Sequence, residues 1–356
     1  MHRMIFLSLS FSVVLGTFIV FTSSHWFFVW VGLELNTLSI ISLLCGNFSP
    51  RSVESSVKYF LVQSVGAALI LNVVIIQAWF CCSWDVNHSL DFVTSLLITL
   101  GLGLKLGLFP CHFWFPDVVQ GVSLVSGMVL STWQKLAPFI VLVSVVDSLS
   151  VELLVCMGVL SVLVGGWGGL NQTQVRKILA FSSVAHMGWI FATVAYSVGA
   201  ASIMLLVYII INSGVFLLAS EFGVKSLSEV SRLVYISYGG SVGLALGVLS
   251  LGGLPPLLGF SVKFVSLWTL VGEGSFFPSG VLVAGSLLSL FFYLRIAFSG
   301  ALMLYPQHSL AVFGWRSIGF YAGGGFTLRG FVLGLSISLS LFGLFSLPIF
   351  ISAINN

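Results

Sequence analysis

Long apolar runs separated by short polar ones organise this chain. A helix needs about 20 apolar residues to cross a bilayer, and that ruler marks eleven runs. They are Met4–Thr22, His25–Cys45, Val57–Trp79, Phe92–Phe115, Val122–Val146, Val151–Gly169, Lys177–Tyr196, Ala200–Ser220, Tyr235–Val271, Ser279–Leu304 and Leu328–Ser352. The runs are continuous and far longer than a barrel strand of about 10 residues, so the pattern predicts helices. The ninth is too long for one straight span and contains Leu251-Gly-Gly-Leu-Pro-Pro-Leu257. It is expected to break in mid-membrane. The first run has no convincing small-residue cleavage site and a second run follows almost at once, so it reads as a span and not as a signal peptide.

Composition excludes the main alternatives. Of 356 residues only 6% are charged, against 58% apolar, and mean hydropathy is +1.15. Too little polar surface exists to clothe a water-soluble globule of this size, and disorder needs the opposite composition. A net charge of +3, scattered along the chain, does not suit nucleic-acid binding. Cys45, Cys81, Cys82, Cys111 and Cys156 lie in or beside apolar runs without zinc-type pairing, so neither a disulfide framework nor a metal site is expected. The expected class is an all-α polytopic membrane protein. The longest polar stretches, 222–234 and 305–327, are expected to be connectors.

Loop charges give an independent check on the span count. With eleven spans, one side of the membrane collects Arg3, Arg51, Lys58, Arg176, Lys177, Lys225, Arg232, Arg316 and Arg329. The opposite side collects no Lys or Arg, only Asp85, Asp91, Asp147, Glu152 and Glu273. Miscounting one helix would scramble this split. The positive-inside rule then puts the N-terminus in the cytoplasm or mitochondrial matrix and the C-terminus across the membrane.

Removing the loop charges leaves Glu34, Lys105, Lys135 and Lys263 well inside spans, with Arg295 deeper than an ordinary anchor. Each mid-membrane charge costs about 2.5–3.5 kcal/mol on insertion scales, so the four together cost about 10–14 kcal/mol. Such a cost persists only where the charges face a wet interior or one another. Each lysine also lies near a helix breaker: Pro110 after Lys105, Pro138 after Lys135, and Pro255 and Pro256 before Lys263. Proline frees the carbonyl four residues back, here those of Leu106 and Gln134. Freed backbone at that depth must line a cavity. A lysine deprived of water can exchange its proton, so the constellation suits proton movement more than carriage of an organic substrate. Snorkelling or structural ion pairing is the bland alternative.

His112, just after Pro110, and His186, midway through the seventh span, are candidate relay groups, although a lone histidine in a span is more often a packing residue. Trp26, Trp30, Trp79 and Trp84 suit interfacial anchors. Dinucleotide, P-loop, zincin and CxxC signatures are absent, so no nicotinamide, flavin or iron–sulfur binding is expected of this chain.

Six segments, in order, carry a resemblance: WVGLELNTLSI (Trp30–Ile40), PRSVESSVKYFLVQS (Pro50–Ser64), LKLGLFPCHFWFPDVVQG (Leu104–Gly121), STWQKLAPF (Ser131–Phe139), GGLNQTQVRKILAFSSVAHMGW (Gly168–Trp189) and LGGLPPLLGFSVKF (Leu251–Phe264). They are spread over about the first three quarters of the chain. In them it resembles the subunit 2 family of mitochondrial NADH:ubiquinone oxidoreductase (respiratory complex I), an antiporter-like membrane subunit. Asp117 stands where that family commonly has Glu, and Cys111 where it commonly has an apolar residue.

The resemblance implies two inverted five-helix units, approximately 1–146 and 151–304, with breaks in the fourth and ninth spans and a C-terminal helix at 328–352. It implies a proton-translocating subunit of the mitochondrial inner membrane, moving protons from matrix to intermembrane space and coupled to quinone reduction elsewhere in the enzyme. Carried over by motif, Glu34 pairs with Lys105, Lys135 is the central relay, Lys263 lies on the exit side, and His112 and His186 join the axis. NADH, FMN, iron–sulfur clusters and ubiquinone are then expected in other subunits. The partners would be other membrane-arm subunits, notably subunits 4 and 4L, accessory subunits, and lipid such as cardiolipin. A stand-alone cation/proton antiporter and a non-transporting scaffold are the rival readings.

Overall fold

The computed structural model describes residues 3–86, 90–236, 238–302, 334, 337 and 340–355. Regular structure among them is helical. In chain order the α-helices are α1 (Arg3–Thr22), α2 (Trp26–Leu44), α3 (Pro50–Cys81), α4 (Phe92–Leu106), α5 (Trp114–Gly121), α6 (Leu124–Ser131), α7 (Leu136–Val145), α8 (Val151–Leu170), α9 (Val175–Val194), α10 (Val198–Glu221), α11 (Leu227–Ile236), α12 (Tyr238–Gly252), α13 (Leu258–Gly272), α14 (Phe276–Ala297) and α15 (Gly343–Asn355). Eight described helical stretches are long and apolar enough to cross a membrane. The expected fourth span is the α4–α5 pair and the ninth is the α12–α13 pair. The expected eleventh, Leu328–Ser352, lies largely outside the described residues, as does the connector 305–327.

Lipid tails offer helices no hydrophobic reason to associate, so close backbone approach at small residues does that work. Where α8 meets α9, a Cβ on Gly158 would fall 2.7 Å from the Gly188 carbonyl oxygen, and one on Gly165 would fall 2.8 Å from the Ala185 nitrogen. The α8–α14 contact is built likewise, with a Cβ on Gly166 meeting the Gly285 carbonyl at 2.9 Å. These contacts sink α9 into the centre of the bundle, with 89% of its span buried. By contrast α1 is peripheral and only 17% buried.

Both interrupted spans end in the same way. At α4 the Gly107 N–H donates to the Leu104 carbonyl (3.3 Å) and the Leu108 N–H to the Gly103 carbonyl (2.8 Å). At α12 the Gly253 N–H donates to Ser250 (3.1 Å) and the Leu254 N–H to Leu249 (3.5 Å). Gly107 and Gly253 have φ of +75° and +82°, which only glycine adopts cheaply. Each is the left-handed residue of a Schellman cap. The expectation that proline opens the backbone is thereby corrected: Pro110, Pro255 and Pro256 follow helices that glycine has already ended. Pro138 lies in the first turn of α7, where a missing N–H costs little. The interruption beside it is the 3-10 turn Trp133–Lys135 between α6 and α7.

Several loops are tied to one another in two groups. In one, the Trp26 N–H donates to the Trp84 carbonyl (2.9 Å) and Val86 to Ser24 (3.0 Å), while His25 meets Asp85 at 3.2 Å. In the other, Arg51, Lys58 and Arg176 line one depression with Glu54 and Asp117, and the Val175 N–H donates to the Lys225 carbonyl (3.1 Å). The expected connector 222–234 is not irregular throughout. It contains most of α11, which buries Val230 and Leu233 and whose Glu229 carboxylate accepts the backbone N–H groups of Lys225 and Ser226. An amphipathic helix too short to span escapes a test built on 20-residue apolar runs.

Gly158→Val should force α8 away from α9, because the obstacle is backbone that cannot rotate aside. Overpacking of this kind costs about 1–3 kcal/mol. The thermal midpoint of the assembled protein should fall, while Gly280→Ala, on α14 with no atom within 4 Å of the added carbon, should leave it in place. Equal midpoints in both variants would refute the close packing.

Candidate functional site

The three span lysines are buried, at 6% exposed for Lys105, 2% for Lys135 and 8% for Lys263. Among the described residues the ion pairs within 4 Å are His25–Asp85, Lys58–Glu54 and Lys58–Asp117. None of the three buried ammonium groups therefore has a carboxylate in contact. Something else must stabilise them, and in each case the end of an interrupted helix is near.

Lys105 occupies the last turn of α4, where the orphan carbonyls carry partial negative charge. It lines a narrow cavity with Asn36, Thr37, Tyr59, Gln63, Gln134 and Lys135. The space open to a water centre there is about 10 Å3, enough for about one water. Side-chain bonds tie its walls together: the Tyr59 hydroxyl donates to Gln134 Oε1 (3.1 Å), Gln134 Nε2 to Asn36 Oδ1 (2.8 Å) and Gln63 Nε2 to the Lys105 carbonyl (3.4 Å). Glu34 is half-buried and its carboxylate accepts from the Thr37 hydroxyl at 2.9 Å. It stands one residue outside the contact expected of it, since Thr37 and not Lys105 is its direct partner.

Lys135 ends the 3-10 turn after α6. Its Nζ donates to the Ser183 carbonyl of α9 (3.3 Å) and to the Tyr208 hydroxyl of α10 (3.3 Å). The Phe115 and Tyr208 rings lie 5.1 and 4.9 Å from the ammonium, within cation–π range. Tyr208 in turn donates to the Ser131 carbonyl (3.1 Å) at the end of α6 and accepts from Asn212 Nδ2 (3.2 Å).

Lys263, on α13, donates to the Leu251 (3.3 Å) and Gly252 (3.0 Å) carbonyls that the glycine cap leaves open at the end of α12. A cation at a helix C-terminus is favourably placed. His186, on α9, lies with its ring 5.2 Å from that of Tyr208. A second small cavity is lined by His186, Tyr208, Leu251 and Lys263. The line Lys105–Lys135–Tyr208–His186–Lys263 is thus continuous through cavities and shared partners.

His112 falls outside this line. It sits in the α4–α5 connection against Phe113, at 4.0 Å between rings, with Nδ1 buried and without a partner among the described residues. Arg295 has a structural partner: Nη2 donates to the Gln172 carbonyl (2.6 Å) in the α8–α9 loop. Charge alone did not single out Tyr59, Gln63, Gln134, Tyr208 or Asn212. Their signal was present as amide and phenol side chains in mid-span. The described residues hold no group of three or more His, Cys, Asp or Glu able to bind a metal ion.

Comparison with known proteins adds a family. Residues 23–289 match the family described as NADH:quinone oxidoreductase/Mrp antiporter, transmembrane. The chain is 63% identical to NADH-ubiquinone oxidoreductase chain 2 of Patiria pectinifera over 355 residues, the full length of both. Its fold superposes with a TM-score of 0.83 on a chain of respiratory complex I from Thermus thermophilus, at 25% identity over 98% of this chain and 80% of that one. A chain of the Mrp complex from Dietzia sp. DQ12-45-1b shares the fold at a TM-score of 0.78 and 20% identity, over 97% of this chain and 76% of that one.

Glu34 and Lys105 are not in contact within 4 Å, but the Glu34 charge reaches Lys105 through space. In a double-mutant cycle of Glu34→Gln and Lys105→Met, read by thermal midpoint of the assembled protein, the coupling should exceed about 0.5 kcal/mol. A coupling below that value would mean that Glu34 does not act on Lys105.

Proposed function

The chain belongs to the NADH-ubiquinone oxidoreductase chain 2 family, and from that premise we propose how its buried charges move protons. As a member it is a proton-translocating membrane-arm subunit of complex I, a multi-pass protein of the mitochondrial inner membrane that works with the other subunits of that enzyme. In our reading Lys105, Lys135, His186 and Lys263 form the relay. The observation that carries this reading is the burial of three ammonium groups without a carboxylate in contact. A structural lysine in lipid gains most from a permanent counter-ion, whereas one held by carbonyls, a hydroxyl and ring faces, as Lys135 and Lys263 are, can lose its charge without stranding a partner.

Glu34 acts on this axis through space, as the acidic group nearest the Lys105 cavity, and responds to the neighbouring subunit. His112 is assigned a supporting place at the α4–α5 break. Two inverted units, approximately 1–146 and 151–304, with a C-terminal helix at 328–352, account for the matching glycine caps at Gly107 and Gly253. The N-terminus faces the matrix and the C-terminus the intermembrane space, an orientation supported by the one-sided distribution of Arg and Lys. Subunits 4 and 4L, accessory subunits and cardiolipin are the partners proposed. NADH, FMN, the iron–sulfur clusters and ubiquinone are assigned to other subunits.

Cysteine labelling from the intermembrane side should reach a probe placed beside Asp85 or Glu152 and spare one beside Arg176. The reverse pattern would invert the orientation.

Lys135→Arg keeps a charge that cannot be released at any reachable pH, and Lys135→Met removes it. Both variants should assemble and both should move fewer protons per NADH oxidised. Full pumping by both would reduce Lys135 to a structural residue.

A further inference from the structure

Lys135 has two hydrogen-bond partners among the described residues, the Ser183 carbonyl and the Tyr208 hydroxyl oxygen, each 3.3 Å from Nζ. Both accept. That arrangement serves an ammonium, which has only protons to give. A neutral amine at the same place would expose a lone pair, and a buried polar atom without a partner is costly. The Ser183 carbonyl can offer it nothing, and the Ser183 hydroxyl is engaged with the Ala180 carbonyl at 2.7 Å. The donor within reach is the O–H of Tyr208, which points instead at the Ser131 carbonyl, 3.1 Å away.

We infer that the Tyr208 hydroxyl is a two-position hydrogen-bond switch that lets Lys135 be either charged or neutral. With Lys135 charged, the oxygen accepts from Nζ and the hydrogen rests on Ser131. With Lys135 neutral, the hydrogen turns onto Nζ. Asn212 Nδ2 donates to the same oxygen at 3.2 Å and to the Ser131 hydroxyl at 2.9 Å, so the oxygen stays fixed while only the hydrogen swings. No covalent bond of Tyr208 breaks and its own charge never changes, which makes it a positioning residue. The surrounding groups fit the role. His186 of α9 faces the Tyr208 ring at 5.2 Å, Lys263 of α13 shares the next cavity, and Lys105 of α4 shares the preceding one with Lys135. None of them supplies Nζ with a donor in place of the phenol.

This inference rests on the relay role of Lys135, so both are tested together in the assembled complex. Tyr208→Phe keeps the ring against Lys135 and His186 and removes only the hydroxyl. It should assemble, continue NADH-dependent quinone reduction, and lose protons moved per NADH to the extent seen for Lys135→Met. A merely structural tyrosine would lower assembly and turnover together and leave that ratio unchanged. If the Lys135 variants lose pumping and Tyr208→Phe keeps the full ratio, the switch is overturned and the relay stands. If the Lys135 variants also pump fully, the relay reading itself falls. Should Tyr208→Phe fail to assemble, Asn212→Leu decides: it frees the phenol oxygen without deleting it, and the ratio should fall by less than for Lys135→Met. An unchanged ratio there overturns the switch.

Discussion

Everything distinctive in this bundle follows from the need to keep three ammonium groups inside a lipid-facing protein with no carboxylate in contact. A mid-membrane charge costs about 2.5–3.5 kcal/mol on insertion scales, and a hydrogen bond to a charged group returns about 1.5–3 kcal/mol. Two such bonds are of the right size to offset one lysine. A carbonyl has two lone pairs, so one inside an intact helix, such as Ser183 of α9, can take a second donor, while those at a helix end are free. Lys263 uses those of Leu251 and Gly252. Lys135 follows the end of α6, whose Ser131 carbonyl is reached through Tyr208. Lys105 sits in the last turn of α4.

Interrupting a span exposes backbone where lipid cannot satisfy it, so the interruptions have to be enclosed. Two left-handed glycines make the ends compact, closing each with its own pair of backbone bonds. Glycine contacts among α8, α9 and α14 then bring the helices close enough to wrap the breaks. The placement of α9 matters most here, because it presents Ser183 to Lys135 and His186 to Tyr208 and the Lys263 cavity. Packing and charge chemistry are in this sense one problem, solved by small residues at helix crossings and polar residues between them.

Holding lysine with neutral acceptors also separates stability from function. A salt-bridged lysine cannot lose its proton without stranding a buried carboxylate, whereas a carbonyl-held one can. The same fold frame is seen in a chain of the Mrp complex. Frame alone therefore does not say which complex a chain belongs to; for this chain, membership in the chain 2 family does.

The apolar pattern by itself determines that the chain is a helical membrane protein and that Glu34 and three lysines are misplaced charges. These are one-dimensional properties, because insertion depends on run length and on the charges within each run. The position of the breaks is legible in the sequence, but their cause is not. Proline is conspicuous in sequence, while a left-handed glycine such as Gly107 or Gly253 looks like any of the other glycines until φ is known. Glu34 and Lys105 share a neighbourhood, yet whether opposite charges touch depends on helix rotation, which no linear pattern encodes. Only the tertiary structure decided that Tyr208 and Ser183 hold Lys135, since the carbonyl and the hydroxyl lie 48 and 73 residues along the chain from the lysine. Hydrogen bonds are made within about 3 Å, and that distance is set by how the helices pack.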